Sequence, residues 1–239
     1  MLSIDTLIRD STMESLEMST FTWRHGVFLL FAVINSVLVG LAAFVAVKWL
    51  TVGQLVLVFL AVMLVLDNLR LALGAVIAKR SFKMFLLISI SVSPLYELVP
   101  LTLIPLGELM GAAGLGWPDS VFWRSFTILV ALACAVSAAH EVRVVSKYLK
   151  PVHEFRVFRL VHEIPIGKTV PTFATMVLAL AGALWLIKID SKLWPMFACS
   201  SLTFLFSSVP KPLALVFGNL AEIVFVSGFI VSAMQMILS

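Results

Sequence analysis

Charged side chains are scarce in this sequence, and their scarcity excludes a soluble domain. Asp, Glu, Lys and Arg make up 13% of the 239 residues, whereas hydrophobic residues make up 61%. A soluble domain carries about 25% charged residues. One water-surrounded core has no room for so many apolar side chains, so the composition predicts that lipid is the solvent for most of the chain.

The sequence also lacks the signatures of several other kinds of protein. Its apolar runs are continuous, whereas the strands of a membrane β-barrel alternate between apolar and polar residues. The first 25 residues are polar, with four acidic residues and two arginines, unlike a cleavable signal peptide. The two cysteines, Cys134 and Cys199, fall in apolar runs, which favours a packing role over redox pairing.

Catalytic and cofactor motifs are missing as well. The three histidines of residues 140–162 do not recur at the short spacings of a zinc site. The segment "PIGKT" ends like a phosphate loop, but His162 stands where that loop needs its first glycine. No nucleophile–base pair is evident. We therefore expect no enzyme activity, no cofactor, no bound metal and no nucleic-acid partner.

Seven apolar stretches approach the roughly 20 residues that a helix needs to cross the hydrocarbon. They predict an all-α, polytopic membrane protein with one transmembrane domain over 27–239, preceded by a polar segment over 1–26. The stretches are 27–47, 54–78, 84–106, 121–139, 170–187, 195–209 and 213–238.

The distribution of Lys and Arg predicts the orientation. The segments 1–26, 79–83, 140–169 and 210–212 contain twelve of the 17 basic residues, and the loops on the other side contain four. The positive-inside rule then places the N-terminus in the cytoplasm and the C-terminus outside. This expectation fits a plasma membrane or a bacterial inner membrane.

The largest cytoplasmic segment in this topology is the basic loop 140–169. Its apolar residues fall on one helical face and its arginines on the other, a pattern that predicts a short helix over 151–163 in the headgroup layer. Four basic side chains are expected to contact anionic lipid headgroups or an acidic partner. They are Lys147, Lys150, Arg156 and Arg159.

Several polar residues lie inside the apolar stretches, where each must have a partner or a function. A charge at the bilayer centre costs about 2.5–3.5 kcal/mol, so the four ionisable side chains would cost on the order of 10 kcal/mol if they faced lipid. Three carboxylates against one arginine require a bound proton or cation. The interpretation is either a cation or proton pathway or a polar cluster that holds the helices together. The candidate residues are Asp67, Asn68, Arg70, Glu97, Asn219 and Glu222.

The stretch "FGNLAEIVFV" (217–226) resembles the Gly-Asn-x-x-Glu motif of the calcium/cation antiporter family. The resemblance implies that Asn219 and Glu222 line a cation site, with Gly218 beside them. The motif occurs once in this chain, whereas members of that family carry two copies.

Two hypotheses for the function follow. The first is a transporter or channel for a cation or a proton-coupled small solute, built around the mid-membrane carboxylates. The alternative is a non-transporting subunit or assembly factor of a larger membrane complex. Candidate partners are the lipid bilayer, a second copy of the chain and other membrane subunits.

Overall fold

A computed structural model of the chain describes residues 23–116, 120–148, 150–154, 157–161, 170–210 and 213–238. Six helical stretches in these ranges are long and apolar enough to cross a bilayer. The chain therefore folds as an all-α polytopic membrane protein, as its composition predicts. The elements in chain order are α1 (Trp23–Lys48), α2 (Val52–Arg80), α3 (Phe82–Val92), α4 (Leu95–Leu98), a 3₁₀ turn (Val99–Thr102), α5 (Leu103–Met110), a π turn (Gly111–Leu115), α6 (Val121–Tyr148), β1 (Lys150–Glu154), β2 (Val157–Val161), α7 (Val170–Ile189), a second 3₁₀ turn (Ser191–Leu193), α8 (Trp194–Ser207) and α9 (Ala214–Leu238).

The third spanning stretch, Phe82–Leu115, is interrupted by prolines and runs from α3 to the π turn. A proline has no N–H to offer the carbonyl four residues before it. Pro94 therefore leaves the carbonyl of Ile90 without its helical donor, and the Ser93 hydroxyl donates to that carbonyl at 2.8 Å. The break between α3 and α4 follows directly from the sequence.

The predicted sixth stretch, 195–209, corresponds to α8, which has 14 residues. At 1.5 Å per residue it is about 21 Å long, shorter than the roughly 30 Å of a hydrocarbon core. It packs closely along α9 at Gly228, where an added Cβ would lie 2.7 Å from the Cβ of Cys199. The count of seven spans, and the orientation derived from it, therefore stay predictions.

Two neighbouring surface depressions show which helix ends lie together at one end of the bundle. Residues from the last turns of four stretches, Lys48, Ala112, Ile189 and Met236, line one depression of about 530 Å³. The start of α2 and of α6 lines an adjoining depression of about 540 Å³. The first five long stretches thus alternate in direction, whereas α7 and α9 run in the same direction and the short helix α8 connects them. We call this end of the bundle the Lys48 end and the opposite one the hairpin end.

The hairpin consists of β1 and β2, paired antiparallel with Lys150 opposite Val161. The helix predicted over 151–163 is therefore wrong for the described residues of that segment, 151–154 and 157–161. The sequence pattern favours a helix here, but the extended chain buries three apolar side chains of β2 almost completely, and this burial stabilises the hairpin. They are Val157, Phe158 and Leu160.

The hairpin packs against α2 and α3. The ring of Phe158 is fully buried and its centroid lies 5.2 Å from that of Phe85. Its carbonyl oxygen comes so close to α2 that a Cβ at Gly74 would be 3.1 Å away. Only a glycine at that position lets the extended chain approach the helix backbone without displacing a neighbour.

Several predicted features lie outside the described residues. They include the polar segment 1–22, Arg156, and the side chains of Lys147 and Lys150. Arg159 is described and is partly buried in β2. A role for these basic residues at a lipid surface therefore stays a prediction.

Candidate functional site

An ion pair lies in the middle of α2. Asp67 and Arg70 are three residues apart, a spacing that places both side chains on one face of the helix. The Nη2 atom of Arg70 donates to Oδ1 of Asp67 at 2.6 Å, and the two side chains are 10% and 13% exposed. The pair predicted from the spacing is present, and it is largely shielded from the surroundings.

A second carboxylate reaches this pair from α9. Glu222 is close enough to interact electrostatically with both Asp67 and Arg70. It stands nine residues into α9, roughly 12 Å from the start of that helix at 1.5 Å per residue. The three side chains therefore combine two carboxylates with one guanidinium, which leaves this group with one negative charge in excess when both carboxylates are ionised.

Two buried amides flank these charged residues along their helices. Asn68 donates to the carbonyl of Leu64 at 2.9 Å, and Asn219 donates to that of Leu215 at 2.8 Å. The Oδ1 atom of each amide is buried and has no hydrogen-bond donor among the described residues. A buried acceptor normally has a donor, so each oxygen can still accept one from water or a ligand.

Glu222 lines a cavity of about 180 Å³ between α4, α7, α8 and α9. The cavity has room for several water molecules. Besides Glu222, its polar lining residues each carry a hydroxyl group, and they are Tyr96, Thr172, Thr203 and Ser207. Ser207, the last residue of α8, is exposed.

A smaller cavity of about 40 Å³ lies on the other side of Glu222. Its lining is mostly apolar and includes Leu60 and Thr102, which lie farther toward the Lys48 end. Val99, Glu222 and Phe225 line both cavities. These three side chains therefore form a partition between the two cavities, and the carboxylate is part of it.

The broken third span shapes the wall of the larger cavity. Pro100 has no N–H for the carbonyl of Tyr96, so that carbonyl cannot receive its normal helical bond. The Thr172 hydroxyl of α7 donates to it at 3.1 Å. The proline thus produces a contact between two helices at the cavity wall.

Glu97 makes its hydrogen bond away from the cavity. Its Oε2 atom accepts a bond of 2.5 Å from the Ser137 hydroxyl of α6. It also interacts electrostatically with Cys134 of the same helix. Of the four predicted ionisable residues, Asp67, Arg70 and Glu222 form one group, and Glu97 has its partners on the outer helix α6.

Sequence reasoning missed Glu108. The predicted third helix ended at residue 106, but the helix continues and leaves Glu108 only 6% exposed. Its carboxylate accepts bonds from the Thr51 hydroxyl at 2.5 Å and from the Gly53 amide at 2.9 Å. It therefore caps the N-terminus of α2, where a negative charge is favourable.

The depressions at the Lys48 end are larger than the Glu222 cavity, but their carboxylates are already bonded or balanced by a cation. Glu108 lines one depression, and both of its oxygens accept hydrogen bonds from the start of α2. Lys48 and Asp190 contribute one charge of each sign to the other depression. Glu222 is thus the strongest candidate for a binding residue in the described part of the chain.

Comparison with known proteins gives no assignment. No protein-family model matches the chain, and no curated protein is detectably similar to it. The resemblance of residues 217–226 to the antiporter motif therefore rests on those ten residues alone.

Proposed function

We propose that the protein is a transporter or channel for a cation, or for a small solute coupled to protons, and that Glu222 binds the cation or proton. The observation that carries this proposal is the cavity beside Glu222. A carboxylate whose charge exceeds what Arg70 can offset lines a space large enough for water and a ligand. A group of helices held together by polar contacts needs neither the space nor the surplus charge.

The energetics of the site support the same function. An isolated carboxylate in an apolar environment is neutralised or paired. Arg70 is already bonded to Asp67 at 2.6 Å, so it offsets the charge of Glu222 only in part. A proton or a bound cation completes the balance. Because either one can leave, the site is suited to repeated loading and release.

The two cavities suggest a route. The larger one extends from Glu222 toward the hairpin end, and the smaller one extends toward the Lys48 end. Val99 and Phe225 lie between them, and Val99 begins the 3₁₀ turn in which Pro100 prevents a regular helix. Discontinuous helices at mid-membrane are typical of transporters, whose sites become accessible from each side in turn.

We also propose that the protein resides in a plasma membrane or a bacterial inner membrane, with the hairpin end facing the cytoplasm. Twelve of its 17 Lys and Arg residues fall in segments on that side of the predicted topology. In this orientation the larger cavity faces the cytoplasm.

The test is a flux assay on the purified protein in liposomes, with cations and pH gradients compared. Glu222→Gln keeps the shape of the side chain and removes its charge. We expect the variant to fold and to lose flux. Glu108→Gln is the matched control, since it makes the same change in a buried carboxylate far from the cavity. Undiminished flux in a folded Glu222→Gln variant would contradict the proposed role. Absence of flux in the wild type would favour the alternative of a non-transporting subunit.

A further inference from the structure

Glu222 is the one ionisable carboxylate among the described residues that line the larger cavity. Asp67 lies nearby but is bonded to Arg70 at 2.6 Å, so its charge is already compensated. When Glu222 is ionised, a ligand in the cavity therefore meets a net charge of about one negative unit. The neutral oxygens of four hydroxyl-bearing residues complete the polar lining.

Arg70 weighs against a doubly charged ligand. Its guanidinium is close enough to interact electrostatically with Glu222, so it also repels a cation bound there. Coulomb energy is proportional to the charge of the ligand. A divalent ion doubles its attraction to Glu222 as well as its repulsion from Arg70, so the Coulomb energy alone does not decide between the two charges. The Born cost of removing an ion from water grows with the square of its charge, and Arg70 reduces what the single free carboxylate can offer against that cost.

Divalent ions also need more ligands than this site supplies. Calcium takes six to eight oxygens, commonly from several carboxylates, and magnesium requires an octahedron that it only partly dehydrates to enter. Among the residues that the structure describes, no three Asp, Glu, His or Cys side chains lie close enough together to hold one metal ion.

We infer that the Glu222 cavity binds a singly charged cation, either an alkali-metal ion or a small protonated amine, in preference to a divalent one. This inference rests on the proposed function, because it names the substrate class of the same site. An alkali ion would use the carboxylate and the hydroxyl oxygens. A protonated amine would use the carboxylate, with its carbon atoms against apolar side chains such as Met176 and Phe225.

The chain offers a position at which this selectivity can be altered. Gly218 lines the same cavity one helical turn before Glu222, and no atom lies within 4 Å of a Cβ built there. Gly218→Asp therefore adds a second carboxylate on the same helix face, at a position with open space around its Cβ. Gly218→Ala adds a methyl group without charge and serves as the matched control.

The experiment measures binding and flux separately, on the purified full-length protein. Binding is followed by the shift in Tm with sodium, potassium, methylammonium, calcium or magnesium chloride at equal ionic strength, and N-methylglucamine chloride is the reference. At ten times Kd we expect a monovalent ion to raise Tm by about 3–6 °C. Glu222→Gln should abolish that shift. Gly218→Asp should gain a response to calcium, whereas Gly218→Ala should keep the wild-type order of preference.

The outcomes separate the inference from the proposed function. A wild-type response to calcium or magnesium that exceeds the monovalent responses, with flux of that ion, would overturn the inference and leave transport in place. Monovalent binding without flux would support the inference about the site and overturn transport. No response and no flux with any cation would overturn both. The responses to sodium and potassium, compared with the response to methylammonium, decide whether the ligand is an alkali-metal ion or a small protonated amine.

Discussion

Arg70→Leu is the substitution whose effect on stability follows most directly from the structure. Arg70 donates to Asp67 at 2.6 Å and also lies within electrostatic range of Glu222. Removing the guanidinium leaves two carboxylates near one another with no cation from this group. Breaking a buried ion pair by removing one partner costs about 3–5 kcal/mol. Because the two side chains are 10% and 13% exposed, we expect the lower end of that range, about 3 kcal/mol.

The other variants of a double-mutant cycle have different expected costs. Asp67→Leu leaves Arg70 with Glu222 as a replacement partner, so it should cost less than Arg70→Leu. The double variant Asp67→Leu with Arg70→Leu removes the whole pair and fills its place with apolar groups. Such replacements are often neutral or stabilising, so the double variant should lie within about 1 kcal/mol of the wild type.

Thermal unfolding of the purified variants in detergent measures these differences. For a protein of this size 1 kcal/mol corresponds to about 2–4 °C in Tm, so Arg70→Leu should lower Tm by about 6–12 °C. The double variant should recover most of that loss. If Arg70→Leu unfolds within about 2 °C of the wild type, or if the double variant is no more stable than Arg70→Leu, the ion pair does not have the role assigned to it.

Three further predictions concern the hairpin, the partition and the basic loop. Gly74→Val should lower the free energy of unfolding by about 1–3 kcal/mol, because the new side chain would meet Phe85 and the carbonyl of Phe158. Gly40→Ala has open space around it and should be neutral or slightly stabilising. Equal Tm values for the two variants would refute the close packing at Gly74. Phe225→Leu shortens the partition between the two cavities and should raise passive cation leak through liposomes several-fold at little cost in stability, and a leak equal to that of the wild type would contradict the proposed route. Arg156→Glu together with Arg159→Glu should weaken binding to anionic vesicles, with the largest difference at low salt, and unchanged co-sedimentation would remove the lipid role of the loop.

The membrane fold and most helix positions could be predicted from the sequence, because lipid imposes a simple requirement. A chain in hydrocarbon must bond its backbone internally and cover itself with apolar side chains, so a long apolar run identifies a helix without reference to its neighbours. The breaks around Pro94 and Pro100 are equally local, since proline lacks a donor wherever it stands. The prediction failed at the described residues 151–154 and 157–161, where the chain is not apolar throughout. There the burial of Phe158 against Phe85 selects an extended hairpin over the helix that the pattern favours.

The candidate site divides in the same way. The i,i+3 spacing of Asp67 and Arg70 was sufficient to predict their ion pair, because one helix positions both side chains. The positions of Glu222 and Glu97 along their helices could not show that Glu222 joins this pair or that Glu97 contacts Ser137. Side chains at the same depth in the membrane can face different neighbouring helices. Those choices depend on how each helix is rotated and which helix packs beside it. The cavity next to Glu222 belongs to the tertiary structure alone, since its walls come from α4 and from the three later helices α7, α8 and α9, which enclose it only when the bundle is packed.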